Sequence, residues 1–129
     1  MKKHENLHFP KILAIDSSDR EKVTLGLIQE DQENIVSEFD NRSQDLALNI
    51  ETFLKKNGVV LSEIRALAVT RNGGSLTGIR MGIATTNTLA YMLNLPILEL
   101  DSGELTQELG RLKNGKLSPK VVKQTTPLA

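Results

Sequence analysis

The stretch Lys11-Ile-Leu-Ala-Ile-Asp16 constrains the fold most, because a short continuous apolar run closed by a carboxylate is the pattern of a strand buried on both faces. Such a strand needs partners beside it and cover above and below. After a polar turn over Ser17 to Glu21, Val23, Leu25 and Leu27 alternate with Thr24, Gly26 and Ile28. That spacing predicts a second strand, antiparallel to the first through a hairpin-length turn. A polar break from Gln29 to Asn34 precedes Ile35 to Phe39, a third strand whose acidic residues suit a sheet edge. Asn41 or Ser43 is then expected to cap a helix on which Leu46, Ile50, Phe53 and Leu54 share one face, with Gly58 as its stop.

Ile64 to Val69 reads as another buried strand, reached by a crossover that sets it parallel to the first. The loop from Asn72 to Leu76 opens a second helix, about Thr77 to Leu93, which ends before Pro96. Pro96 to Leu100 reads as a further strand, and Asp101 or Ser102 is expected to cap a third helix through about Leu112. Beyond Asn114 the chain is polar, carries two prolines and lacks periodicity, so it reads as a tail or at most one short edge strand. The expected division is a leader over 1–10, one domain over 11–112 and a polar tail over 113–129. Three strands in a meander followed by alternating helices and strands give an α/β layered domain with a mixed sheet. The pattern fits a single ribonuclease-H-like domain, the half of an actin-like ATPase fold.

A chain of 129 residues, 39% hydrophobic and 25% charged, is the size of one globular domain with its own core. Sixteen basic residues balance sixteen acidic ones, so no net field draws in a polyanion. Aromatic residues make up 3% and tryptophan is missing, which leaves little for stacking on single-stranded nucleic acid. With no cysteine there is no disulfide framework, thiolate metal site or cysteine nucleophile, in keeping with a reducing compartment; the cytoplasm is the expected location. No apolar stretch approaches the roughly 20 residues of a spanning helix, so no membrane anchor is expected.

Two segments are candidates for chemistry. The glycine-rich run from Asn72 to Gly82 lies between a buried strand and a helix, where free backbone N–H groups and the helix dipole favour an anion, and Arg80 can add a guanidinium. It is neither a Walker loop nor a dinucleotide fingerprint. The same glycines also serve a tight turn and close packing of the helix on the sheet, with Ser75 or Thr77 as a cap; spacing favours that second reading. Asp16-Ser17-Ser18 stands at a strand's carboxyl end, where ligands collect in such sheets, yet an Asx turn that begins the hairpin is the favoured reading. A weak anion or nucleotide site would therefore comprise Asp16, Ser17, Gly74, Ser75, Thr77 and Arg80. The only histidines, His4 and His8, precede the first strand, which leaves no scaffolded base for a triad and no expected metal site or cofactor.

The second helix carries more apolar surface than one sheet-facing stripe requires, in Met81, Ile83, Ala84, Leu89, Ala90, Tyr91, Met92 and Leu93. Small residues among methionines suit a dimer interface, and a helix wedged between the first and third helices is the alternative.

Lys11-Ile-Leu-Ala-Ile-Asp-Ser-Ser18 resembles the opening of the TsaB (YeaZ-like) family, in which such a strand leads into Asp-Thr-Ser. Gly74-Ser-Leu-Thr-Gly-Ile-Arg-Met-Gly82 is similar to that family's Gly-Ser-Phe-Thr-Gly-Leu-Arg-Ile-Gly signature, and Ala84-Thr85, Leu89-Ala90-Tyr91 and Leu95-Pro96-Ile97 also fall where the family has similar residues. Asn72-Gly73 departs from the family's Gly-Pro, and Arg42 stands before Ser43 where many members have histidine. The resemblance implies the N-terminal domain of a non-catalytic scaffold in tRNA threonylcarbamoyladenosine synthesis. It implies pairing with the catalytic subunit TsaD through the first and second helices, at Leu46, Ile50, Met81, Thr85, Thr88, Leu89 and Met92. A TsaE-type ATPase would join the complex, a homodimer would form when the chain is alone, and tRNA would be met only indirectly. The rivals are an actin-like nucleotide-binding remnant and a self-associating structural homodimer.

Overall fold

The computed structural model describes residues 9–40, 45–73, 76–101 and 104–127. Six strands, β1 (Lys11–Asp16), β2 (Lys22–Gln29), β3 (Ile35–Asp40), β4 (Ala66–Thr70), β5 (Ile97–Leu100) and β6 (Lys120–Val122), form one sheet in the order β3-β2-β1-β4-β5-β6. β1 pairs parallel with β4, and β4 with β5, while the remaining neighbours are antiparallel. The sheet is therefore mixed, with β1 central and the acidic β3 at an edge. Three helices complete the domain: α1 (Leu46–Lys56), α2 (Leu76–Leu93) and α3 (Leu105–Lys113).

Period-two alternation sends each strand's side chains to two separate cores. Leu13, Ile15, Leu25, Leu27, Leu67 and Val69 pack with Ile50, Phe53 and Leu54 of α1 and Ile79 and Ile83 of α2. Ile12, Ala14, Ile28, Ala66 and Ala68 pack with Leu105, Leu109 and Leu112 of α3. Since α3 covers the opposite face, α2 is not wedged between the first and third helices, and that alternative falls. On the α1 side, Phe39 of β3 meets Phe53 edge-on, with ring centroids 6.4 Å apart and planes at 89°.

Boundaries shift where capping chemistry differs from expectation. Asp45 caps α1, its carboxylate accepting from the Leu48 N–H at 2.9 Å, and the expected caps Asn41 and Ser43 lie outside the described residues. Gly58 does end α1, at φ 71°, the left-handed geometry that glycine adopts without strain. Ile64 is buried but closes a 3₁₀ turn over Leu61–Glu63, so β4 starts two residues later than the apolar pattern alone suggests. Glu104, not the expected Asp101, stands at the N-cap of α3 and makes no side-chain cap, while Asp101 is engaged by Arg71; Ser102 lies outside the described residues. Beyond Asn114 the chain returns to add β6 to the free edge of β5, the short-strand form of the expected tail.

Candidate interface and strand-end site

The carboxyl ends of β1 and β4 meet the start of α2, where Ser17, Ser18 and one oxygen of Asp16 are engaged in local hydrogen bonds. Asp16 Oδ1 accepts from both the N–H and the hydroxyl of Ser18, at 2.9 and 2.6 Å, which is an Asx turn. Ser17 is fully buried, and its hydroxyl donates to the Gly78 carbonyl at 2.6 Å. A Cβ on Gly82 would stand 2.1 Å from Ser17 Oγ, and one on Gly73 would stand 2.2 Å from Ser18 Cβ. Both glycines are thus places where backbone closes directly onto the β1 turn. Thr77 and Arg80 are exposed on the first turns of α2, while Gly74 and Ser75 lie outside the described residues. Of the expected anion site, Asp16 Oδ1 is thus engaged by Ser18 and the Ser17 hydroxyl by the Gly78 carbonyl. Among the described residues no group of three or more histidine or acidic side chains is placed to hold a metal.

An apolar groove of about 680 Å³ runs between α1 and α2, lined by Ile50, Leu54, Val59, Val60, Leu61, Thr85 and Leu89 with Glu51 and Lys55 at its rim. The helices build it simply: Ile50 and Leu54 are one turn apart on α1, as are Thr85 and Leu89 on α2, and the Val59-Val60-Leu61 run after Gly58 closes one end. Of the expected interface residues, Ile50, Thr85 and Leu89 come together here. Leu46 is buried in the core and does not line the groove, so it supports α1 from beneath. Met81 is half-buried, and Thr88 is exposed with its hydroxyl donating to the Ala84 carbonyl at 2.9 Å. Met92 and Tyr91 are 70% and 88% exposed, and Leu48, Val60 and Leu76 are also largely exposed. The apolar excess of α2 therefore divides between the groove wall and open surface. As groove residues, Leu54, Val59, Val60 and Leu61 were missed in the sequence; four apolar residues among the six positions from Val59 to Ile64 were the available signal.

A second polar assembly was not read from the sequence. Arg71, just past β4, donates Nε to Asp101 at 2.8 Å and Nη1 to the Thr126 carbonyl at 3.1 Å, and sits 3.3 Å from the buried Glu99 carboxylate. The hydrogen bond donated to Asp101 raises the guanidinium pKa above its ordinary value, against a lowering by burial. Glu99 in turn accepts the Thr125 hydroxyl at 2.6 Å. A glutamate inside an otherwise apolar strand was its one trace in the sequence. Among the described residues no helix is long and apolar enough to cross a membrane.

Comparison with known proteins places this architecture. Residues 5–123 match the family model described as TsaD, tRNA N6-adenosine threonylcarbamoyltransferase. The chain is 29% identical over 113 residues to the tRNA threonylcarbamoyladenosine biosynthesis protein TsaB of Bacillus subtilis, covering 84% of this chain and 48% of that one. It is 28% identical over 93 residues to the TsaB of Haemophilus influenzae, covering 70% and 39%. The solved structure of YeaZ from Pseudomonas aeruginosa superposes with a TM-score of 0.63 at 29% identity, over 70% of this chain and 44% of that one. The chain thus spans less than half the length of the curated relatives named here. The mixed sheet, the order of its elements and these matches agree on an actin-like, ribonuclease-H-like fold. The chain belongs to the family of tRNA N6-adenosine threonylcarbamoyltransferase, TsaD, and within it is a TsaB/YeaZ-like protein.

Proposed function

We propose that this chain is a non-catalytic scaffold in tRNA threonylcarbamoyladenosine synthesis, pairing through α1 and α2 with a TsaD-type threonylcarbamoyltransferase. The observation that carries this reading is the α1–α2 groove, apolar inside and bordered by the exposed Val60. A matching helix pair laid against it would form a bundle with Leu89 and Ile50 near its centre, where buried apolar anchors dominate binding. The non-catalytic part is supported by the strand-end carboxylate and hydroxyl being consumed by local structure. Balanced charge supports indirect contact with tRNA, delegated to the partner. In this reading a TsaE-type ATPase joins the complex, the same face forms a homodimer when the chain is alone, and the setting is the cytoplasm.

Co-expression with the cognate TsaD and affinity capture tests the proposal. A stable complex is expected, lost on Leu89→Glu and weakened at least tenfold on Met92→Glu, while both variants keep the wild-type circular dichroism. Failure to capture TsaD, or capture that neither variant weakens, refutes it.

A further inference from the structure

The segment 120–127 is held like a bound peptide. The Asn87 side-chain amide donates to the Thr125 carbonyl and accepts the Thr125 N–H, both at 2.9 Å, so one side chain pairs with both backbone groups of one residue as a neighbouring strand would. Glu99 receives the Thr125 hydroxyl, and Arg71 donates to the next carbonyl. Thr125 itself is only 3% exposed and Glu99 8%. Upstream, Lys120 and Val122 pair with Glu99 and Ile97 on the edge of β5, and Val122 rests against the main core. Backbone pairing, a threonine-specific carboxylate and a carbonyl clamp are the components by which proteins bind extended peptides at a sheet edge.

We propose that Asn87, Glu99 and Arg71 form a recognition site for an extended, threonine-bearing peptide, which residues 120–127 fill in cis and the same residues of a second copy fill in trans. The link from α3, residues 114–119, holds Gly115 at φ 81° and Pro119, so redirecting the segment needs changes only in that short link. Every bond made in cis is available unchanged in trans. Exchange between two copies is then isologous and governed by concentration against a cis occupancy of about millimolar effective concentration. This site lies at the β5 edge, away from the α1–α2 groove, and does not depend on the proposed function.

The test uses the full chain and a fluorescent peptide spanning Lys120 to Pro127. Thr125→Val in the full chain removes the bond to Glu99, weakens the cis segment and leaves the site residues intact. Peptide is expected to bind this variant about tenfold more tightly than the wild-type chain, the loss of a hydrogen bond to a charged group being worth roughly that factor. A peptide carrying the same Thr125→Val change is expected to bind about tenfold more weakly, and Asn87→Ala in the same background to bind neither. Should the Thr125→Val chain not fold, the two peptides are compared on wild-type chain at excess peptide. Absence of saturable binding, or equal affinity for threonine and valine peptides, overturns the site. For the second copy, Lys123→Cys chains carrying donor or acceptor dye are mixed at about millimolar concentration. Energy transfer that excess peptide abolishes supports exchange; no transfer, or transfer that peptide leaves unchanged, overturns it.

Discussion

Gly82→Ala is a sharp test of how α2 is seated. In an open helix the change would stabilise by about 1 kcal/mol, since glycine carries more backbone entropy than alanine. Here the new methyl would lie 2.1 Å from Ser17 Oγ and 3.2 Å from Ser17 Cβ. The hydroxyl can rotate away only by giving up its 2.6 Å bond to the Gly78 carbonyl in a fully buried setting. That loss costs about 1–3 kcal/mol, and the remaining crowding against Ser17 Cβ adds about 1–3 kcal/mol. The net expectation is destabilisation by about 3 kcal/mol, read in urea as a lower midpoint at unchanged slope and in calorimetry as a fall in Tm of about 10 °C. A double-mutant cycle locates the cause. Ser17→Ala alone costs about 1 kcal/mol, and the double variant should be about 1–2 kcal/mol more stable than the two single costs added. A neutral or stabilised Gly82→Ala, or strict additivity with Ser17→Ala, refutes the contact as the reason for this glycine.

Gly58→Ala should cost about 1 kcal/mol by urea unfolding, from backbone strain alone, because nothing stands within 4 Å of the added methyl. Arg71→Met leaves Glu99 buried without its cation and should destabilise by about 3 kcal/mol, and Arg71→Lys should recover only part of that because an ammonium cannot match the fork to Asp101 and Thr126. The exposed Lys22 is raised above its ordinary pKa first by its hydrogen bond to Glu38 at 2.8 Å. A raised lysine contributes below its unfolded pKa and loses that contribution as pH climbs through the folded value, so any pH dependence from this pair is confined to pH above 10.5. Glu38→Gln should return the Lys22 titration in NMR toward the ordinary value while leaving the midpoint of unfolding at pH 7 unchanged.

The sheet was legible because its signals are local. The Lys11–Asp16 run, the alternation after Val23 and the glycine at 58 each state their own conformation, and the parallel crossover follows from chain handedness. Helix starts were less legible. Asp45 and not Asn41 or Ser43 caps α1, and Asp101 leaves the start of α3 for Arg71, a competition between residues 30 apart that no local window contains. The same reasoning separates the two candidate sites. The Asp16–Ser18 turn was readable as self-satisfied from three adjacent residues, whereas the bond from Ser17 to Gly78 spans 61 positions. The groove was half legible: the apolar surplus of α2 showed in its composition, but the wall supplied by Val59 to Leu61 depends on where the chain turns after α1. The Asn87–Thr125 clamp was invisible, because only the docking of β6 brings those residues together.

The two faces of the sheet differ in the size of their side chains, and that difference sets where the domain yields. Under α3 lie Ala14, Ala66 and Ala68 among the larger Ile12 and Ile28, and at Gly26 a methyl would come within 2.3 Å of Leu109. A helix seated that close has no travel, and larger residues beneath it have nowhere to go. Under α1 and α2 the sheet presents leucine, isoleucine and valine, and the groove leaves unfilled volume between the two helices. Adjustment to a docking surface is therefore expected along the α1–α2 groove, while α3, seated closely over Gly26, acts as the fixed frame. Sequence drift in related chains should follow the same division, tolerant of volume changes along the groove and intolerant of them beneath α3.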